Sequence, residues 1–231
     1  MARKKQFNVG SKMRHLIANT NPRSPIAEQY RTVRTNLQFA SVDNEVSSML
    51  ITSAGPAEGK SMTTANLAVV YAQQGKKVLL VDADLRKPTM HYTFRLDNLR
   101  GLSNILIGET NIEDTVEKSD IQNLDVISCG PIPPNPSELL GSRRMQAFVE
   151  SAKQQYDLVI FDMPPVLAVA DAKILSNHVD GVLLVVRSKK TENEAAKEAL
   201  ESLESVHANV LGVVLNGRDK KEVNYYYYYG N

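Results

Sequence analysis

The sequence predicts an α/β fold, a doubly wound and mostly parallel sheet with helices on both faces. Three observations point there. The short runs "SMLITS", "KVLLVDAD", "LDVIS", "LVIFDMP", "GVLLVVRS" and "NVLGVVLN" are near-continuously apolar rather than alternating, as strands covered on both faces are. Helical patterns lie between them, and strands that alternate with helices build parallel βαβ units. The chain has 231 residues, 42% hydrophobic and 23% charged, ordinary values for one sizeable globular α/β domain.

Taken in order, the elements have local causes. No acidic residue precedes Glu28, whereas Arg3, Lys4, Lys5, Lys12, Arg14 and Arg23 are basic. Residues 1–23 read as a flexible arm, either a solvated leader or a segment suited to an anionic membrane face. The arm lacks the apolar centre of a secretion signal. Ser24 and Pro25 open a helix as N-cap and first helical residue, which runs through "IAEQYRTVRTNLQFA". A second helix, "KSMTTANLAVVYAQQG", is closed by Gly75. A third, "TENEAAKEALESLES", is expected to open on a Thr191/Glu194 capping box. One domain is expected over residues 24–217, followed by a flexible tail over 218–231. The tail ends in "VNYYYYYGN", with Tyr225, Tyr226, Tyr227, Tyr228 and Tyr229 contiguous. Neither a one-faced strand nor an amphipathic helix accommodates such a run.

No stretch reaches the ~18 apolar residues of a membrane span. The single Cys129 rules out an intrachain disulfide, fits a reducing cytoplasm, and reads as strand-end packing rather than as a nucleophile. A net charge of +1 argues neither for nor against nucleic acid.

The strongest chemical motif is "AGPAEGKS", residues 54–61, directly after the first strand and opening the next helix. This is the P-loop pattern, with Ala at its first position. Backbone amides of such a loop and of the helix N-terminus bind phosphate oxygens. Gly55, Pro56, Ala57, Glu58, Gly59, Lys60, Ser61 and Met62 are therefore the predicted nucleotide-binding residues. Lys60 would neutralise the β- and γ-phosphates and Ser61 would ligate Mg²⁺. "VLLVDADLRKP" and "LVIFDMPP" place Asp82, Asp84 and Asp162 at the ends of buried strands, where ligands of open α/β sheets bind. Together with Ser61 they are candidate ligands for Mg²⁺, which takes hard oxygen donors. Asn216 should end the last strand beside the nucleotide, either contacting adenine or forming the turn before Gly217. Lys60 and Asp82, read as loop residues at the sheet's edge, should be replaceable without loss of the fold.

The P-loop, "VLLVDADLRKPT", "IFDMPP", "GPIPPNPSELL" and the tyrosine tail together resemble the bacterial tyrosine kinases (BY-kinases), cytoplasmic enzymes associated with capsule and exopolysaccharide synthesis. The likeness spans residues 24–231 and is to the stand-alone form of Gram-positive bacteria, whose transmembrane adaptor is a separate polypeptide. It implies a P-loop NTPase-type fold, ATP and Mg²⁺ as cofactors, and transfer of phosphate to protein tyrosines. Lys60 would act on the phosphates. Asp82 and Asp84 would support metal binding and deprotonate the incoming tyrosine hydroxyl, with Asp82 favoured as the base and Asp84 the alternative. Asp162 would be a Mg²⁺-linked carboxylate. Tyr225 to Tyr229 would be autophosphorylated, although they are contiguous here and interrupted in many family tails. Glu28, Arg31 and Arg34 would help build a ring-shaped homo-oligomer. The implied partners are an activator of the polysaccharide co-polymerase type at the inner face of the membrane, tyrosine-bearing protein substrates and a phosphotyrosine phosphatase, with no nucleic acid.

Two rival readings compete with this one. A partition- or cell-division-type ATPase shares the second Walker motif, but carries a lysine where Gly55 stands and leaves the tyrosine tail unexplained. A nucleotide-gated scaffold could stack its aromatic tail on sugars or single strands, but no basic residues interleave the run.

Overall fold

The computed structural model describes residues 16–40 and 46–218. Tyr225 to Tyr229, the rest of the tail from residue 219, and residues 1–15 of the basic arm lie outside the described residues. Within them the order is α1 (Ile17–Thr20), α2 (Pro25–Ala40), β1 (Ser48–Ser53), α3 (Lys60–Gln73), β2 (Val78–Asp82), α4 (Met90–Phe94), α5 (Leu102–Ile107) and β3 (Glu117–Lys118). There follow β4 (Leu124–Ile127), α6 (Pro136–Leu140), α7 (Arg143–Gln155), β5 (Leu158–Asp162), α8 (Asp171–Ser176), β6 (Gly181–Arg187), α9 (Asn193–Glu204) and β7 (Val210–Asn216).

The strands form one sheet in the order β3-β4-β2-β5-β1-β6-β7, parallel except for β3 against β4. Alternate residues feed two cores, because successive side chains of a strand point to opposite faces. Met49 and Ile51 of β1, Leu80 of β2 and Ile160 of β5 pack with α3, while Leu50, Val81, Phe161 and Leu184 meet the opposite face with Phe148 and Val149 of α7. In β1, β2, β4, β5 and β6 both faces are covered, so these strands needed no polar alternation; β7, at the sheet edge, departs from that expectation, with Val213 and Leu215 exposed. β3 was not foreseen. Two charged residues at a sheet edge carry no strand signal.

Helix α3 is buried from Thr63 to Ala72, which requires cover on its outer side. The N-terminal segment provides it. Ala18 N donates to Asn66 Oδ1 at 2.9 Å, Gln73 Nε2 donates to Ala18 O at 3.0 Å, and Arg34 Nη1 donates to Val70 O at 2.8 Å. The expected flexible arm therefore stops short of residue 23, since Leu16 and Ala18 are buried and α1 packs on α3. Ser24 does cap α2, its Oγ accepting from Ala27 N at 3.1 Å.

The capping box expected at Thr191/Glu194 does not form. Glu192 is the N-cap of α9 and makes no side-chain cap bond. Thr191 Oγ instead donates to Glu58 Oε1 at 2.6 Å, so a site contact has replaced the local one. Cys129 is buried, and its thiol is pushed up to about 12, first by burial and then by the charges of Asp82 and Asp84, as suits packing and not attack. Among the described residues no helix is long and apolar enough to cross a membrane.

Candidate active site

The site lies at the carboxyl ends of β1, β2 and β5. The loop leaving β1 must turn back over the N-terminus of α3, and it does so through two left-handed residues, Ala57 (φ 58°) and Gly59 (φ 95°). The loop is gripped from outside by the ends of β6 and β7. Lys190 Nζ donates to Pro56 O at 2.6 Å, Arg187 Nη1 to Ala57 O at 3.3 Å and Asn216 Nδ2 to Glu58 O at 2.9 Å. Asn216 thus lies beside the phosphate loop, as its position in the sequence suggested, and its first role is to hold that loop. Sequence reasoning missed Arg187, Lys190 and Thr191, which follow no spacing rule.

Only glycine fits at position 59. A Cβ built there would stand 2.0 Å from Asn216 Nδ2, on a backbone with φ +95°. Gly59→Ala should weaken nucleotide binding by about tenfold or more, or 1.4 kcal/mol. Titration with a fluorescent ATP analogue reads the effect, and adding Asn216→Ala should recover the steric part of the loss.

Beneath the loop, one ammonium meets two carboxylates, with a third beside them. Lys60 Nζ lies 3.0 Å from Asp84 Oδ2, 3.6 Å from Asp162 Oδ1 and 3.3 Å from Ser61 Oγ. Thr64 Oγ donates to Asp162 Oδ1 at 3.3 Å. Asp82 faces Asp162 across the β2–β5 register, and its Oδ2 accepts from Thr89 N and Met90 N, both at 2.8 Å. Asp84 Oδ1 accepts from Lys87 N at 3.0 Å and from Arg86 N at 3.4 Å. The structure therefore brings together Lys60, Ser61, Asp82, Asp84 and Asp162. None of the three carboxylates is a loop-edge group: Asp82 and Asp162 are fully buried and Asp84 is nearly so.

Burial sets the electrostatics. It raises the Asp82 carboxyl to about 7, helped by the neighbouring charge of Asp162 and opposed by the two backbone N–H groups. Asp162 is also pushed up by burial, against the pull of Lys60. For Lys60 burial works downward, but Asp162 and Asp84 together hold the ammonium above its usual value.

Asp82 Oδ1 and Asp162 Oδ2 are buried without a hydrogen-bond partner. Buried acceptors left unpaired are costly, and three carboxylates outnumber the single ammonium among them. A hard divalent cation fits this donor set. Among the described residues no three carboxylate, imidazole or thiol side chains form a complete metal-binding group, so a cation here would take its remaining ligands from Ser61, water and nucleotide phosphate.

Of the residues expected in a ring contact, Glu28 and Arg31 pair on the surface of α2 at 2.8 Å. Arg31 Nη2 also reaches Pro22 O at 2.6 Å. Arg34 is engaged within the chain, on Val70 O.

A strand–loop–helix phosphate cradle with a buried lysine and strand-end carboxylates defines a P-loop nucleotide-binding protein. A family described as an AAA domain matches residues 51–214. The tyrosine-protein kinase YwqD of Bacillus subtilis is 54% identical over 96% of this chain and 94% of its own length. The kinase domain of Escherichia coli tyrosine kinase ETK superposes with a TM-score of 0.87, at 37% identity, over 96% of this chain and 84% of that one. The chimerical protein CapA2B2 does so with a TM-score of 0.86, at 45% identity, over 89% and 90%. The chain belongs to the bacterial tyrosine-protein kinases.

Proposed function

We propose that this chain transfers the γ-phosphoryl group of ATP to the hydroxyls of its own Tyr225, Tyr226, Tyr227, Tyr228 and Tyr229, and through that reaction regulates capsular or exopolysaccharide synthesis. The observation that carries the proposal is the Lys60–Asp84–Asp162 cluster with unpartnered oxygens on Asp82 and Asp162, set beneath a P-loop in a chain that ends in a tyrosine run.

Phosphoryl transfer asks mainly for positioning and charge neutralisation. The backbone of residues 55–62 cradles the phosphates. Lys60, released from Asp84 and Asp162 when phosphate competes for it, offsets charge on the β- and γ-phosphates. Ser61 and carboxylates drawn from Asp82, Asp84 and Asp162, completed by water and phosphate oxygens, would hold Mg²⁺, which would offset the remaining phosphate charge. The Asn216 amide oxygen is an acceptor for the exocyclic amine of adenine, while its Nδ2 stays on Glu58 O. A tyrosine hydroxyl has a pKa of about 10, so its proton must be taken by an aligned base. Asp82 has an unpartnered oxygen, whereas both oxygens of Asp84 are engaged, which favours Asp82 in that role.

The short reach of the segment before the tyrosines favours transfer between chains. β7 ends at Asn216 beside the loop, and residues 218–224 reach at most roughly 25 Å when extended. They contain no Gly or Pro with which to double back. Glu28 and Arg31, on the surface of α2, supply the ring contact that brings a neighbour's tail within reach, and Arg34 anchors that helix to α3. Each phosphate adds about −1.5 to −2 charges, so the modified tail is repelled by the Asp cluster. It then becomes substrate for a phosphotyrosine phosphatase. A membrane adaptor of the polysaccharide co-polymerase type recruits the chain to the inner face of the membrane and stimulates it.

Mixing a Lys60→Met chain that keeps its tail with an active chain lacking Tyr225 to Tyr229 tests the trans step. The inactive chain should be labelled. If it stays unlabelled while the intact enzyme labels itself, as a monomer, at a concentration-independent rate, the tail acts in cis.

A further inference from the structure

The "GPIPPNPSELL" segment supplies nothing to the phosphate cradle, yet it ends in a buried polar node. Asp171, the first residue of α8, is fully buried. Arg86 grips it with both arms of its fork, Nε to Oδ2 at 2.8 Å and Nη2 to Oδ1 at 2.9 Å. Ser137 of α6 donates to the same Oδ1 at 2.7 Å and lies 2.9 Å from Arg86 Nη2. Three connections meet here: the one leaving β2 with Asp84, the one leaving β5 beyond Asp162, and the one leaving β4. Arg86 belongs to the same turn as Asp84, because the N–H groups of Arg86 and Lys87 both point at Asp84 Oδ1.

We propose that Arg86, held by Asp171 and Ser137, is a positioning residue for phosphoryl transfer. It fixes the turn that aims Asp84 Oδ2 at Lys60, and so gives the 130–140 segment a part in the reaction from outside the nucleotide cradle. The inference rests on the reading of Asp84 given above. A fork to a carboxylate constrains both distance and plane, whereas a lysine at the same place is a point charge that does not fix the plane. Asp171, as the buried partner, requires the cation at position 86: removing one member of such a pair is strongly destabilising, while replacing both by apolar groups is often tolerated.

The test is a double-mutant cycle on the full chain, read as transfer of radiolabelled phosphate from ATP to the tail. Arg86→Lys should lower kcat by 10- to 100-fold, with KM for ATP and the affinity for a fluorescent ATP analogue unchanged. Ser137→Ala should act in the same direction and more weakly. If Arg86 works through Asp84, then Arg86→Lys placed on Asp84→Asn should cost nothing further. Where Arg86→Lys does not fold, Arg86→Met/Asp171→Leu takes its place in the cycle, with thermal melting as the control. The proposal is overturned if a folded variant keeps the wild-type kcat, or if Arg86→Lys lowers the Asp84→Asn rate by the factor it shows in the wild type. A wild-type rate for Asp84→Asn alone would instead overturn the assignment of Asp84, and is read separately.

Discussion

Replacing Lys60 by Met will lower tail phosphorylation by at least about 10²–10³-fold, the usual cost of removing one preorganised electrostatic group from a transfer site. It will also lower the melting temperature of the nucleotide-free protein. The second effect departs from the expectation that Lys60 sits harmlessly on an edge loop. The ammonium lies 3.0 Å from Asp84 and 3.6 Å from the fully buried Asp162. Breaking a buried pair by deleting one partner costs about 3–5 kcal/mol, and each kcal/mol is worth about 2–4 °C in a chain of this size. The carboxylates can take up protons in response, so the loss should be larger at pH 8 than at pH 5. Labelling and thermal melting on one preparation free of other kinases decide the matter. A folded Lys60→Met chain with undiminished phosphotyrosine would overturn the assignment.

Asp82→Asn will do the opposite to stability and the same to activity. Burial raises the folded-state carboxyl from 3.8 to about 7. Between those values the folded chain holds a proton that the unfolded chain has released. The favourable contribution is complete below pH 3.8 and is lost as pH rises through about 7. At pH 8 wild-type Asp82 is a buried charge, and the isosteric amide removes it. The amide oxygen can still accept from Thr89 N and Met90 N. The melting temperature should rise by about 5 °C at pH 8, and the difference should shrink by pH 5. Phosphorylation should fall by about 10²-fold or more at pH 8, the usual contribution of a general base, and by much less at pH 5, where wild-type Asp82 already carries a proton. Equal melting temperatures at pH 8 would contradict the electrostatic account, and undiminished phosphorylation would remove Asp82 from the chemistry.

The parts legible in the sequence were those with a local or periodic cause. The inner parallel strands showed as apolar runs because both faces are covered, whereas the run of β7 leaves Val213 and Leu215 exposed; the P-loop showed because its turn demands Gly59 and its pattern carries Lys60 and Ser61. Asp82, Asp84 and Asp162 could be brought together because Asp82 and Asp162 end neighbouring parallel strands and Asp84 follows two residues after Asp82. Contacts made between distant segments were not legible. Thr191 looked like a helix cap until Glu58 claimed it. Arg86 and Asp171 sit in separate segments, and nothing in either announces the other. Burial was misjudged for the same reason, since Asp82 ends a strand whose neighbours bury it completely. α1 was absorbed into a basic arm by composition, although Leu16 and Ala18 serve to cover α3.

The central claim is that phosphate from ATP ends on the terminal tyrosines, and peptide mass spectrometry after incubation with ATP and Mg²⁺ tests it most directly. The account predicts phosphate on Tyr225, Tyr226, Tyr227, Tyr228 or Tyr229 in the intact chain and none in the Lys60→Met chain. ATP consumed with inorganic phosphate released, and all five tyrosines left unmodified, would contradict it and favour a nucleotide switch instead.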